Sequence, residues 1–510
     1  MRRLRILGCL VAAFSMVGAV TALAVDPAGS PGRAQAAAED TTLTADPMPT
    51  WQTDGIVWSV AHANGVVYAG GVFSNVRPPG AAPGEQQVAR KNFAAFDAAT
   101  GELLPCAPAF TGGTGSVRAM KPSPDGEVLY VGGSFGTVTT GGEETAVSNA
   151  VAFDTADCTL RDDFRPGVAA TVRAVDATAD AVYLGGDFPT VDGQPRQRIA
   201  ALSPAGALLP FRATVDKAVR AVTAAPEHGK IIIGGDFNTV NGASVHALVS
   251  LDPASGNTNQ TFPGWIEPRS VVKALNRDDT NFYLGAEGDG HKVFDGRIAA
   301  SLTTGARKWT DICYGATQAV VPYRGALYSG SHAHNCEDTP GGFPDNNIRQ
   351  HLLANSIADS SIQIWFPQTN GGLGEQLGPR AMVMAGDILW TGGEFTTVHS
   401  KPQQSLTRFP AAPDTGAPQV PVLSGESTTA GKVRLSWKAS WDRDDPVLTY
   451  RIIRDGEFYK SVDAQSRYWD RPTMGMTDTV PSNSTHRYSL EVTDGDNLSG
   501  RNGPVSVTAR

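Results

Sequence analysis

VYLGGDFPTV (182–191) returns along the chain as VYAGGVFSNV (67–76), LYVGGSFGTV (129–138), IIIGGDFNTV (231–240) and ILWTGGEFTTV (388–398). Two worn copies, FYLGAEGDG (282–290) and LYSGSHAHN (327–335), lie between the last two, which makes seven. The first glycines are Gly70, Gly132, Gly185, Gly234, Gly285, Gly330 and Gly392. Self-similarity at intervals of this size marks a repeat architecture.

Each copy has the same neighbours. A V-x-A strand precedes it: VWSV (57–60), VRAM (117–120), VRAV (172–175), VRAV (219–222), VKAL (272–275), TQAV (317–320) and PRAM (379–382). An apolar strand follows, such as FAAFD (93–97), IAALS (199–203) or LTRFP (406–410), then a turn such as AATG and a shorter strand such as LLPF (208–211). Four strands per copy is the blade of a β-propeller. The paired glycines permit positive φ or close backbone approach where the second strand leaves the sheet. The seventh copy stops after its third strand, and PMPTWQTDG (47–55) supplies a matching fourth strand from the other end of the chain. Joining both ends in one blade removes free sheet edges. The expected fold class is therefore all-β: a seven-bladed β-propeller over 47–412, a Pro-rich linker over 413–420, and a β-sandwich over 421–510.

The G-G-x-F-x-T-V copies with their D-x-x-T-G turns resemble the delta-60 repeat type of β-propeller found in exported bacterial proteins. That resemblance implies an architecture and no single activity. In the C-terminal segment, VRLSW (433–437), TYRIIRDG (449–456), HRYSLEV (486–492) and VSVTA (505–509) alternate as strands. Trp437, Tyr450 and Tyr488 resemble the core aromatics of fibronectin type III domains, which implies a spacer or adhesion module.

Arg2, Arg3 and Arg5 precede an apolar run from Ile6 to Val25, and Ala34-Gln35-Ala36-Ala37-Ala38 follows it. This order reads as a signal peptide over 1–36, hence a secreted, extracellular and cell-wall-associated protein with no membrane span after processing. Residues 1–36 carry four Arg and one Asp, so their removal takes the formal charge from −9 to about −12. Such acidity argues against nucleic-acid partners, which demand excess Lys and Arg. Four cysteines remain, and export suggests two disulfides. Cys313 and Cys336 fall on connections sharing one face of the disc, Cys106 and Cys158 on the opposite face, so the pairs 313–336 and 106–158 are expected.

Chemistry has few footholds. The residue after the second glycine reads Val72, Ser134, Asp187, Asp236, Glu287, His332 and Glu394. Cyclic repetition would set Asp187, Asp236, Glu287, His332 and Glu394 on one arc able to bind a polar ligand. Equally, each acid would accept backbone N–H bonds from its own following turn. The worn sixth copy carries His332, His334 and, further on, His351; an H-x-H on a strand puts both imidazoles on one side, as a zinc site requires. Glu287, Asp289 and His291 stand in the fifth. Asp442 and Asp444, with Asp494 and Asp496, occupy sandwich loops that share an end, an oxygen-rich setting suited to calcium. Calcium or zinc is thus the one cofactor suggested. Gly132-Gly133-Ser134-Phe135-Gly136 matches a nucleophile-elbow pattern but lacks a strand-to-helix setting. No catalytic residue is assigned. The reading favoured is a monomeric, non-catalytic binding or scaffold protein for an extracellular polysaccharide, wall polymer or protein. The alternative is a metal-assisted lyase or hydrolase built on the histidines of the sixth copy.

Overall fold

The computed structural model describes residues 43–289, 293–345 and 347–510. The leader at 1–36 and His291 lie outside the described residues. Seven antiparallel sheets follow one another along the chain, each opening with the V-x-A strand and the glycine-pair strand. Sheet 1 is Ile56–Ala63, Val66–Val72 and Phe93–Asp97; sheet 2 is Ser116–Pro122, Val128–Ser134 and Ala150–Asp154. Sheet 3 is Val172–Ala177, Val182–Gly186 and Ile199–Leu202. Sheet 4 is Val219–Ala225, Lys230–Gly235, Leu248–Leu251 and Thr258–Thr261; sheet 5 is Ser270–Arg277, Asn281–Gly288, Gly296–Ser301 and Arg307–Asp311. Sheet 6 is Ala319–Tyr323, Ala326–Ala333 and Gln350–Ser356; sheet 7 is Pro379–Ala385, Ile388–Gly393 and Leu406–Pro410.

The first strands of successive sheets pack side by side, and that of sheet 7 packs back against that of sheet 1. A closed ring of radially repeated sheets is a β-propeller. The first glycine of each pair explains how closely the sheets approach. A Cβ on Gly185 would stand 2.7 Å from Val219 of the next sheet, one on Gly285 2.6 Å from Thr317, and one on Gly392 2.5 Å from Val57 of sheet 1. Gly70, Gly132 and Gly234 meet Val117, Val172 and Val272 more tightly still, and Gly330 meets Pro379 at 2.8 Å. The second glycine, as in Gly186, lies against a carbonyl of its own first strand, that of Thr171. Neither column has positive φ; close approach alone demands the glycines.

The fourth strand is complete only in sheets 4 and 5. In sheets 1, 2, 3 and 6 it shrinks to one bridge each: Phe96 to Leu103, Phe153 to Leu160, Leu202 to Leu208, and Asn355 to Ile362. Pro105 and Pro210 follow closely in two of these segments, and proline brings no N–H to a ladder. In sheet 7 the outer place is taken by the other end of the chain: Thr44 N donates to Pro410 O (2.8 Å) and Met48 N to Arg408 O (2.9 Å). Leu43 and Ala45 pack there with Trp365 and Phe409. The closing contacts thus begin upstream of residue 47, while Gln52–Thr53 turns away to pair with Asn75–Arg77.

Residues beyond the linker form a three-stranded sheet (Leu423–Thr429, Lys432–Lys438, Thr473–Thr479) and a four-stranded one (Val447–Arg454, Glu457–Gln465, Thr485–Thr493, Val505–Thr508). They share a core in which Trp437, Tyr450 and Tyr488 are buried. Tyr468 and Trp469 of this sandwich pack on Phe343 and Phe366 of the propeller, with Phe366 and Trp469 ring centroids 5.2 Å apart. Both expected disulfides, Cys106–Cys158 and Cys313–Cys336, are formed. No helix among the described residues is long and apolar enough to cross a membrane.

Gly185→Ala is expected to lower stability by about 1–3 kcal/mol in urea denaturation, the cost of overpacking a filled contact. In a Val219→Ala background the loss should shrink, because the atom struck first is a Val219 methyl.

Candidate functional site

The residue in the middle of each V-x-A motif carries the feature that ties the ring together. In six sheets the ladder slips at this position, between Val57 and Ser59, Val117 and Ala119, Val172 and Ala174, Val219 and Ala221, Val272 and Ala274, and Pro379 and Ala381. A bulge of this kind re-aims one side chain out of the alternating pattern. The re-aimed residues are Trp58, Arg118, Arg173, Arg220, Lys273 and Arg380, and Gln318 holds the equivalent place in sheet 6.

These side chains meet the acids of the neighbouring column. Arg173 pairs with Asp187 (2.7 Å), and Arg220 grips both carboxylate oxygens of Asp236 at 2.6 Å. Lys273 reaches Glu287 at 3.1 Å, and Gln318 donates to the other oxygen of Glu287 at 2.7 Å. Arg380 pairs with Glu394 (2.9 Å) and Glu375 (2.6 Å) and donates to Gln318 Oε1 at 3.1 Å. Glu394, fully buried, also accepts from Glu375 N (2.9 Å) and Leu377 N (2.6 Å). The partners of this acid column are therefore cations and a preceding loop, rather than the N–H groups of each following turn. The Arg380 hydrogen bond holds the Glu375 carboxyl below its usual range, and Lys273 and Arg220 act on it in the same direction from other sheets. Burial opposes the charge on Arg220, and the Asp236 pair outweighs it and raises the guanidinium.

Sheets 3, 4, 5 and 7 are neutralised internally, whereas sheets 1 and 2 are not. Arg118 faces Ser134 where others face an acid, and its Nε donates to Ser116 Oγ (3.1 Å). Its guanidinium lies 4.3 Å from the centroid of the Trp58 ring, with that of Arg380 4.8 Å from the same ring. Burial, then the charges of Arg173 and Arg380, lower the Arg118 pKa.

The histidines are placed differently from the expectation. The ladder slips between Gly330 and Ala333, so His332 and His334 do not sit on an unbroken strand. His334 Nδ1 is 3.7 Å from Asp345, and its ring leans on Tyr314. Burial lowers His332 and His351 to about 4 each. Among the described residues, His332, His334 and His351 do not come together as a three-ligand group.

Acids do come together at the sandwich. Asp442, Asp444 and Asp445 bring carboxylate oxygens within 4.8 Å of one another, as do Asp414, Asp445 and Asp494. Asp496 joins neither group. A cavity of about 190 Å³ beside them is lined by Asp46, His399, Trp441, Asp442, Arg443 and Asp444. Burial, then the hydrogen bond with Asp442, pushes Asp444 up to about 9, and burial raises Asp414 to about 6. Asp414 of the second group and Asp46 of the cavity wall were not apparent from the sequence, since they stand far from the loops that carry the others.

No family model and no curated protein matches the chain. Among solved structures it is similar to a chain of the mitotic checkpoint complex at 15% identity and a TM-score of 0.46, covering 78% of this chain and 100% of that one. It is similar to the WD40 β-propeller domain of Doa1 at 13% identity and a TM-score of 0.43, covering 71% and 96%. BamB from Moraxella catarrhalis is similar at 11% identity and a TM-score of 0.39, covering 72% and 98%.

Arg380→Ala, which strands the buried Glu394, is expected to cost about 3–5 kcal/mol. Arg173→Ala, at a half-exposed pair, should cost about 0–1 kcal/mol in the same urea titration. The raised Asp444 stabilises the fold in its protonated form, so its contribution is lost as pH rises toward about 9. His332 and His351 act oppositely and at lower pH, weakening the fold as pH falls from 6.5 toward about 4. Between pH 7 and 9 the melting temperature should therefore fall in the wild type and less in Asp444→Asn.

Proposed function

We propose that the chain is an exported, non-catalytic binding protein: a seven-bladed β-propeller of the delta-60 repeat type followed by a fibronectin type III-like spacer. The observation that carries this reading is the column of bulged residues, Trp58, Arg118, Arg173, Arg220, Lys273 and Arg380, aimed out of six successive sheets. A packed core has no use for five repeated cations, while a polar recognition surface does. Regular repetition of a charged site on a rigid ring suits contact with an extracellular polysaccharide, wall polymer or protein. The two disulfides suit an oxidising compartment. The leader at 1–36 supplies the route out, and the processed chain acts as a monomer at the cell wall.

The aspartates around Asp444 are assigned to calcium, which would hold the sandwich against the propeller rather than take part in recognition. Their raised carboxyls are what a divalent cation would relieve. Melting at pH 8 with calcium and then with a chelator reads this directly: calcium should raise the midpoint in the wild type and not in Asp444→Asn.

The binding role is read by sedimenting the processed protein with insoluble wall polysaccharide, with peptidoglycan and with wall proteins. Retention on one fraction without release of soluble products is expected. Release of products, or retention on none, would overturn the proposal.

A further inference from the structure

The ring of paired charges is interrupted at sheet 6, where the neutral Gln318 and His332 stand in the two places, and between sheets 1 and 2, where the gap leaves a cation without an acid. In sheets 3, 4, 5 and 7 the re-aimed cation meets a carboxylate of its own sheet. Sheet 2 keeps the cation, Arg118, with Ser134 in the acid's place; sheet 1 has Trp58 and Val72 in the two places. Among the described residues no carboxylate forms an ion pair with Arg118; Asp187 and Glu375, the acids that act on it from a distance, are already held by Arg173 and Arg380. Trp58 Nε1 is buried and finds no acceptor among the described residues. A buried donor left without an acceptor is costly. The gap therefore leaves one guanidinium, stacked on the Trp58 ring, without a carboxylate partner.

We infer that this gap is a carboxylate subsite, and that it takes the uronate of an acidic polysaccharide. The inference rests on the binding role proposed above and narrows it to a ligand chemistry. Arg118 alone among the five cations of the ring has no carboxylate in direct contact, so its fork is the one still open to a monoanion. The planar two-oxygen edge of a carboxylate fits the guanidinium fork. Hydroxyls surround Arg118: Ser116 Oγ accepts from its Nε, Thr114 Oγ1 lies 2.9 Å from Ser116 Oγ, and Thr114 N donates to Ser134 Oγ at 3.3 Å. Hydroxyls both donate and accept, which suits the ring hydroxyls flanking a sugar carboxylate better than the terminus of a peptide. The chain's net charge of −9 opposes non-specific attraction of a polyanion, so affinity for one must arise locally.

Calorimetric titration of the processed protein with trigalacturonate, with its neutral methyl ester, and with a short peptide ending in a free carboxylate tests this. Binding of trigalacturonate is expected, at least tenfold weaker for the ester and for the peptide. Arg118→Gln should lose at least tenfold affinity for trigalacturonate, read well below the melting temperature of the variant because the change also gives up the Ser116 hydrogen bond and the stacking on Trp58. Equal affinity for acid and ester, undiminished affinity in Arg118→Gln, or preference for the peptide would overturn the subsite. Retention on neutral wall polysaccharide without any affinity for trigalacturonate would remove the subsite and leave the binding role standing; retention on nothing would remove both.

Discussion

The contact between the first glycine of each sheet and the residue that opens the next sheet's first strand governs this molecule. Seven times, from Gly70 against Val117 round to Gly392 against Val57, the absence of a side chain lets one sheet lie directly on its neighbour. The contact is cyclic, so its geometry has to be met by all copies together. A sheet that approached less closely would leave the last one unable to reach the first. That requirement explains why the glycine persists even in the two worn copies, where the rest of the phrase has drifted.

The same close approach creates the polar side of the ring. The second glycine accommodates a carbonyl of the first strand, as Gly186 does for Thr171, beside the point where an extra residue is inserted. The inserted residue cannot follow the alternation of its strand and is turned toward the acid column. One backbone device thus produces both the dense packing and the charged array. Differences among copies are then differences of side chain on a constant frame, and it is against that constancy that Ser134 and Trp58 stand out. The deeply buried network of Arg297 and Asp311, with Ser329, Thr339 and Asn355, shows another use of polarity, as a tie between sheets 5 and 6.

Much of this was legible beforehand. The repeat and the buried aromatics of the sandwich followed from short-range pattern, where one residue type has one physical reason to recur, and the two disulfide pairs from the face of the disc on which each blade connection lies. The basic column was equally on view, in VRAM, VRAV and VKAL, yet it reads as ordinary strand alternation unless the extra residue is known. A bulge is invisible to a period-two argument, and the same blindness misplaced His332 and His334, which straddle an irregular ladder in sheet 6. The aspartate cluster was half visible for a different reason. Asp442, Asp444 and Asp494 sit on loops that a sandwich brings together, but Asp46 and Asp414 arrive through the chain's closing segment and linker, which no local spacing encodes.

That closing segment has a consequence for how the protein is made. Thr44 and Met48 find their partners at Pro410 and Arg408, so the first described residues wait for almost the whole propeller to be synthesised. Until then sheet 7 has no outer edge partner and the ring stays open. Pairings of such long sequence separation assemble slowly. Until the segment around Pro410 is made, the nascent chain is a string of unfinished sheets, and protection of their exposed edges becomes a condition of its yield.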